Sequence, residues 1–544
     1  MGLFNRFSKK KVGEKDSMKK EKSDIEKEKN NAEKKISPSK CLEENLKCMK
    51  EIFKDCEDVI FRDFKVGERQ SEEFVAIQID GLASKDIIND YVLEPLMLEV
   101  RKIEPEDVKK KLFKITKEGV ISTIEIKEVY DLQEAVVNIL SGETALLVNG
   151  YDKILIIGSK GPPTRGVSQA ESETVVRGPR DGFVEVSRFN SALIRRRIRD
   201  PKLKLRNMQV GERSKTDIAV LYIEDIANPH LVKDIIRKIE KIKIDAILES
   251  SYIEQLIEDN HFSPFPQMQN TERPDAAASA LYEGRVVIIV DNTPFCIIAP
   301  ATMMTFLQSS EDFYQRWAIV SLSRMIRYLA ILISLLGPSL YIAIVSYHPG
   351  LLPTRLALYI GASRINVPFP AFIEAFIMEI TIELLREAGS RMSGPIGTTI
   401  SIVGGLVIGQ AAVEAGIVSP LMVIVVAVTA IASFMIPNYG FASAFRILRF
   451  VVMVLASVLG LYGIMLGLII ITTHLVKLTS FGVPYMTPFT TLGRTISDLK
   501  DTVIKMPLIV MRERQKLTRL QDKIRLSLEE ENGNGDDKNV RKKQ

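Results

Sequence analysis

SPFPQMQNTERPDAAASALYEGRVVIIVDNTPFCIIAP, Ser263–Pro300, is the stretch whose reading decides the fold of this 544-residue chain. From Val286 to Leu307 the sequence is apolar enough to be drawn as a membrane helix. Yet that run contains Asp291, Asn292, Pro294 and Pro300. Two short apolar segments flanking a polar turn predict a β-hairpin instead. The soluble part of the chain therefore extends to about residue 315, and the membrane part begins with the apolar run near 328.

An internal repeat supports the hairpin. VGERQSEEFVAIQIDGLASKDIINDYV from Val66 matches VGERSKTDIAVLYIEDIANPHLVKDII from Val210. Each reads as turn, apolar strand, polar turn and amphipathic helix. LSGETALLVNGYDKILIIGS from Leu140 then aligns with LYEGRVVIIVDNTPFCIIAP from Leu281, Gly142 standing against Gly284. The turn Asn149-Gly150 of the first copy corresponds to Asp291-Asn292 of the second. The expected soluble units are an α/β subdomain over 41–165 and its repeat over 166–315.

Charge and apolarity are segregated along the chain. Lys, Glu, Asp and Arg crowd the first 325 residues, whereas 328–472 carries few charges. The Lys/Glu-rich arm 1–40 and the tail 528–544 have too few large apolar side chains to offset their ordering entropy, and are expected to be disordered. The N-terminal MGLFNRFSKKK has no apolar signal-peptide core. It fits a Gly2 acylation pattern only loosely, and a solvated basic tail accounts for it. A net charge of +5 gives no footprint for nucleic acid. Cys41, Cys48 and Cys56 recur at helical spacing with no CxxC pair or neighbouring His, and read as faces of one helix; Cys296 reads as core. No metal or other cofactor is expected.

The membrane domain is expected over 316–492, with spans near 328–347, 396–417, 420–437 and 448–472. Gly337-Pro338 and Gly404-Gly405 predict loosened or closely packed helices there. Arg324 and Arg327 put the preceding domain in the cytoplasm, and the basic segment 493–527, read as C-terminal helices, asks for the same side. Four spans satisfy both but leave Arg446 and Arg449 outside. A short sixth element around 474–492 would reconcile the charges, although it is only weakly apolar.

Chemistry-bearing motifs are scarce. The sequence has no GxxxxGK[ST] loop, GxSxG elbow or HExxH pair, and its four His residues are scattered, so catalysis is not expected. The informative element is 365–388, long enough to span yet carrying Glu374, Glu379, Glu383, Arg386 and Glu387. On a helix, Glu379, Glu383, Arg386 and Glu387 share a face, while Glu374 lies nearly opposite, beside Thr381. Ionisable groups at membrane depth mark pathways. A ring of such helices would line a cavity with carboxylates and favour cations; an interfacial helix with its polar face among headgroups is the alternative. Glu414 reads as a charge reaching for the membrane surface. A basic belt including Arg177, Arg180, Arg195, Arg196, Arg197 and Arg199 is suited to anionic headgroups or a neighbouring subunit, and its lack of interleaved aromatics argues against nucleic acid. A solvated helix face also accounts for much of it.

TVVRGPRDGFVE (Thr174–Glu185), NSALIRRRI (Asn190–Ile198), VGERSKT (Val210–Thr216), SPFPQ with TERPD (Ser263–Asp275), HPGLLPT (His348–Thr354), FIEAFIMEITIELLREAG and FGVPYMTPF occur in this order. With them the chain resembles the A-subunit family of spore germinant receptors, the GerA family, from about 41 to 515. MRERQ at Met511 departs from the Arg-Pro pair often found there, which bears on how the tail docks. The resemblance implies an α/β cytosolic domain of two repeated subdomains followed by an all-α polytopic membrane domain. It also implies residence in the spore inner membrane, a transporter-like B subunit that senses nutrient, a lipoprotein C subunit, and a homo-oligomer that conducts monovalent cations. Glu374, Glu379, Glu383 and Thr381 are then the expected ion path. An accessory channel of the stage V AF type and an ion-coupled transporter are the other readings. No inverted repeat in 328–472 favours the transporter.

Overall fold

Strands β9 (Val286–Val290) and β10 (Cys296–Ala299) pair antiparallel in the computed structural model, with Ile288 opposite Ile297 and Val287 opposite Ile298. The apolar run is therefore a hairpin, its turn at Asn292 with φ of 68°. It reads as continuously apolar, not alternating, because every residue of both strands is buried. The structure describes residues 35–66, 72–98, 125–161, 169–170, 173–391, 405, 407–491, 501–511, 514, 520–522 and 524–525.

The sequence repeat is a repeat of topology. In the first sheet, β1 (Val59–Val66), β2 (Glu72–Ile79), β3 (Ile126–Val129), β4 (Thr144–Val148) and β5 (Ile154–Ile157) are ordered β1-β2-β4-β5-β3. In the second, β6 (Leu203–Val210), β7 (Thr216–Ile223), β8 (Gln269–Thr271), β9 and β10 are ordered β6-β7-β9-β10-β8. Matching positions in the sequence thus occupy matching places in the two sheets.

Local chemistry sets the helices that cover them. Helices α1 (Leu42–Ile52) and α2 (Leu132–Leu140) place Met49, Leu132, Val136 and Ile139 against Ile77 and Leu147 of the first sheet. Asp131 caps α2 by accepting from Gln133 N at 3.1 Å. Helix α3 spans Ser187–Arg197. On the second sheet, α4 (Pro229–Glu240) starts with Asn228 accepting from His230 N and with proline in its first turn. Its Leu231, Ile235 and Ile239 join Ile253 and Ile257 of α5 (Ser250–Ile257) on Val220, Ile288 and Ile297. Each such side chain, once buried, contributes about 1.5–3 kcal/mol. Helix α6 (Pro274–Tyr282) follows the TERPD turn.

The chain divides into two compact units, 1–166 with 191–206, and 167–190 with 207–544. Segment 191–206 thus belongs to the first unit, although the sequence reading assigned it to the second subdomain. Ala192 enters the first unit's core, and Arg195 is held there by Asp58.

The second unit also holds the apolar helices. After α7 (Met303–Leu307) come α8 (Trp317–Tyr347), α9 (Thr354–Ser363), α10 (Ala371–Arg391), α11 (Pro420–Phe434), α12 (Tyr439–Leu459) and α13 (Leu461–Lys477). Helices α8 and α12 are long and apolar enough to cross a membrane, and α11 and α13 are shorter apolar helices. Helix α8 runs through Pro338, and a Cβ on Gly337 would lie 2.7 Å from Thr429 Oγ1 of α11. Gly337 is therefore a close-packing position. Residues 396–404 and 406 of the expected span 396–417, Gly404 among them, lie outside the described residues; 407–414 is helical. The arm 1–40, apart from residues 35–40, and the tail 528–544 also lie outside them.

One expectation is corrected. The span 448–472 is not one helix: Gly460, with φ of 60° and ψ of −138°, breaks it into α12 and α13. The two helices fold back on each other, because a Cβ on Gly463 or Gly467 would meet Leu455. In segment 474–491, too weakly apolar for a span to be asserted, the chain beyond the end of α13 forms the two-residue strands β11 (Thr479–Ser480) and β12 (Val483–Pro484). Ser480 Oγ donates to Gln267 O at 2.6 Å, and Tyr485 OH to Pro266 O at 2.9 Å. The SPFPQ turn is thereby tied to the end of the bundle, where Phe265 and Phe306 pack on Phe441 at the start of α12.

The C-terminal segment 493–527 was expected to be helical. Among its described residues the only helix is the 3-10 turn Leu508–Val510. Its polar groups bind outward instead: Gln521 N donates to Ile226 O, Asp522 N to Asp225 O, and Arg514 Nη1 to Tyr282 O.

Candidate functional site

Three of the expected charges of α10, Glu374, Glu379 and Glu383, are each matched by arginine. Glu374 is fully buried; its Oε1 lies 2.7 Å from Arg364 Nη2, and its Oε2 accepts from Ser419 N at 3.0 Å. A carboxylate at the first N–H groups of α11 is favoured by that helix's positive end. Ser419 also shares a 3.0 Å hydrogen bond with Tyr341 of α8, so Glu374 links α10, α11 and α8.

One and two turns on, α10 faces α12. Arg449 Nη2 lies 2.9 Å from Glu379 Oε2 and 3.2 Å from Glu383 Oε1. Arg446 Nη1 lies 3.1 Å from Glu383 Oε2, and Arg386 Nη1 donates to Glu383 Oε1 at 3.5 Å. Arg386 also donates to Ser433 Oγ at 2.8 Å and lies over the Phe434 ring, 4.5 Å from its centroid. The shared face Glu379–Glu383–Arg386 is thus present, and Glu374 is apart from it. Two carboxylates against three guanidiniums give this cluster a formal charge of +1.

Within the single chain, two of the carboxylates expected on the ion path are thus paired with arginine. Glu374 and Glu379 are buried in ion pairs within one chain, because an unpaired charge there would cost several kcal/mol. Glu383 retains 28% side-chain exposure. Thr381 Oγ1 donates to Ile377 O of its own helix, and Glu414 accepts from Gln410 one turn away. Sequence reasoning missed the partners Arg364, Arg446 and Arg449. The signal was available, since intramembrane charges of opposite sign seek one another, but pairing across 66 residues needs the fold.

A second charged knot was not anticipated. Arg324 of α8 binds Asp312 Oδ2 at 3.1 Å, Asp501 Oδ1 at 2.7 Å and Thr502 O at 3.1 Å. Arg327 takes both oxygens of Asp312 at 2.7 and 3.0 Å. Lys505 Nζ donates to Asp312 O, and Ser321 Oγ accepts from Lys505 N at 3.0 Å. Burial pulls the Lys505 ammonium below its usual range. These contacts fasten 501–505 to the start of α8.

The basic belt is divided. Arg195 is buried, and Asp58 takes its Nε and Nη2 at 2.9 and 2.8 Å. It is therefore a core residue of the first unit and no part of an exposed basic face. Arg197 is partly buried and donates to Leu193 O. Arg196 and Arg199 are exposed on the first unit, and Arg177 and Arg180 on the second. Among the described residues no group of His, Cys, Asp and Glu is arranged to hold a metal ion.

The family described as Bacillus/Clostridium GerA spore germination protein matches residues 47–517. Spore germination protein B1 of Bacillus subtilis (strain 168) is 45% identical over 472 residues, 86% of this chain and 95% of its own length. Spore germination protein A1 of the same organism is 46% identical over 390 residues, 71% and 80% of the two chains. The crystal structure of the N-terminal domain of the A subunit of the Bacillus megaterium spore germinant receptor GerK3 is similar at 34% identity and a TM-score of 0.39, covering 50% of this chain and 98% of that one. With the profile covering both sheets and the helical bundle, the chain belongs to the GerA family of spore germination proteins.

Proposed function

We propose that this chain is the A subunit of a nutrient germinant receptor in the spore inner membrane, and that copies of it assemble around a nutrient-gated path for monovalent cations. What carries the reading is the extent of the family match, which takes in the soluble sheets and the bundle alike over 47–517. Its partners are a transporter-like B subunit that binds nutrient and a lipoprotein C subunit. Exposed Arg177, Arg180, Arg196 and Arg199 provide basic surface for neighbouring subunits or anionic headgroups.

The break at Gly460 supports a six-crossing topology: α8, α10, the segment containing 407–414, α11, α12 and α13. An even number keeps the soluble domain and the C-terminal segment on one side, the cytoplasm. Arg446 and Arg449 then lie near the same end as Arg324 and Arg327, as positive charge near cytoplasmic helix ends requires. Ions pass between protomers along α10, where Glu383 is the partly exposed carboxylate, while Glu374 and Glu379 hold the helix in place. Nutrient binding in the partner shifts the oligomer from closed to open by its differential affinity for the two states.

The test is cation flux through the chain co-reconstituted in liposomes with its B and C partners. Nutrient-dependent flux that falls in Glu383→Gln at equal protein level is expected. A wild-type complex that passes no ions on nutrient addition would sink the channel reading.

A further inference from the structure

A cavity of about 210 Å³ lies in the second unit. Its walls include Glu173 and Thr174 from the chain before the GPRDG turn, Gln269 of β8, and Gln308 and Ser310 from the loop between α7 and α8. Asn438, at the turn joining α11 and α12, also lines it. The soluble sheet and the helical bundle therefore both contribute. Among the described residues Glu173 is the one charged member of the lining, beside hydroxyls, carboxamides, Val175 and Pro437.

Among the described residues no cationic side chain hydrogen-bonds the Glu173 carboxylate, and the Arg273 charge acts on it only from a distance. Thr271 Oγ1 donates to its Oε2 at 2.7 Å. Arg273 is near, but its Nη1 goes to the Glu173 main-chain oxygen, and its Nη2 to Asp275 Oδ2 at 2.9 Å and to Pro179 O. Asp275, which also accepts from Tyr314 OH, already matches that guanidinium. Desolvation raises the Glu173 carboxyl to about 7, outweighing the Thr271 hydrogen bond and the Arg273 charge that act the other way.

We infer that this cavity binds a small monovalent cation, a metal ion or a primary ammonium, with Glu173 as its counter-charge and the surrounding hydroxyl and amide oxygens completing its shell. Four features select this class. Among the described residues no Lys, Arg or His lines the space, so phosphate and carboxylate ligands find no partner there. Among those residues no thiol or imidazole lines it either, which favours hard, oxygen-preferring cations. A single carboxylate matches one positive charge, whereas divalent ions gather several. The volume suits a partly hydrated ion or a small ammonium compound, liquid water occupying about 30 Å³ per molecule. Because Asn438 also accepts from Phe441 N at the start of α12, an occupant would touch the residue that begins that helix. The inference does not rest on the channel reading.

The experiment is thermal unfolding of the full chain in nanodiscs at pH 8 and fixed ionic strength. Sodium, potassium, ammonium and methylammonium chlorides are titrated against choline chloride. A saturable rise in Tm with at least one small cation is expected, since a ligand of the folded state stabilises it by mass action. That rise disappears in Glu173→Gln and persists in Glu254→Gln. A response to sodium or potassium alone assigns a metal ion, and one to the ammonium salts alone assigns an amine. Equal Tm in all salts, or an undiminished response in Glu173→Gln, overturns the proposal. Should Glu173→Gln fail to fold, Thr174→Val, at the exposed rim, decides: a weakened saturation midpoint supports the site and an unchanged one overturns it. Stability is read without any ion gradient, so failure here and failure of flux are separate results.

Discussion

Arg449 places one guanidinium nitrogen 2.9 Å from Glu379 and 3.2 Å from Glu383, closing a charged bridge between α10 and α12. Arg449 and Glu379 are each 1% exposed, so neither charge has water to fall back on. Arg449→Ala leaves the buried Glu379 without its partner, while Glu383 keeps Arg446, and should cost about 3–5 kcal/mol. Replacing both partners, as in Arg449→Met with Glu379→Leu, should recover most of that loss. Thermal unfolding in detergent distinguishes the two; a double variant no better than the single would show that the pair is not what holds these helices.

In the first unit the same logic applies to Arg195, whose guanidinium is held bidentately by Asp58 and also donates to Leu203 O at 2.9 Å. Asp58→Ala should destabilise the unit by about 3–5 kcal/mol. Arg195→Lys, which keeps the charge but loses the fork, should fall between that variant and wild type. Denaturant unfolding followed by circular dichroism checks the order.

At Gly460, φ of 60° with ψ of −138° is backbone that a side-chain-bearing residue rarely adopts. A Cβ there would also lie 3.2 Å from Tyr347 and from His348 Nε2. Gly460→Ala should cost about 1–3 kcal/mol and loosen the α12–α13 hairpin. A lower Tm with faster proteolysis of the 455–465 segment is the expected result, whereas Gly361→Ala, with open space around its Cβ, should be silent.

Stability of the second unit should depend on pH in a definite direction. Desolvation raises both Glu173 and Glu254 from 4.5 to about 7. Between those values the folded chain keeps protons that the unfolded chain has released, so stability falls as pH rises through that window. Below it the contribution is fully present. Glu254→Gln should flatten part of the slope of Tm between pH 5 and 7; a slope unchanged by Glu254→Gln and by Glu173→Gln would refute the assignment.

Much was legible in the residues. The repeat was readable because matching turns and apolar runs recur in register, and Asp291, Asn292 and Pro294 ruled out a membrane helix whatever the hydropathy. The acidic face of α10 followed from helical spacing alone. The hairpin at Gly460 was not legible, since LASVLGLYGIML stays apolar on both sides of the break and one glycine gives too weak a signal.

Sequence by itself determined the repeated strand pattern and where the apolar and the charged segments lie, because period and composition are local properties of the chain. Tertiary structure alone decided which charges meet. Arg195 looked like one member of a basic run, yet the fold buried it against Asp58, far away in sequence. Glu374 and Glu379 looked like free carboxylates until Arg364 and Arg449 were brought to them. A buried charge is stable only beside its counter-charge, and which residue supplies it depends on contacts that no local pattern encodes.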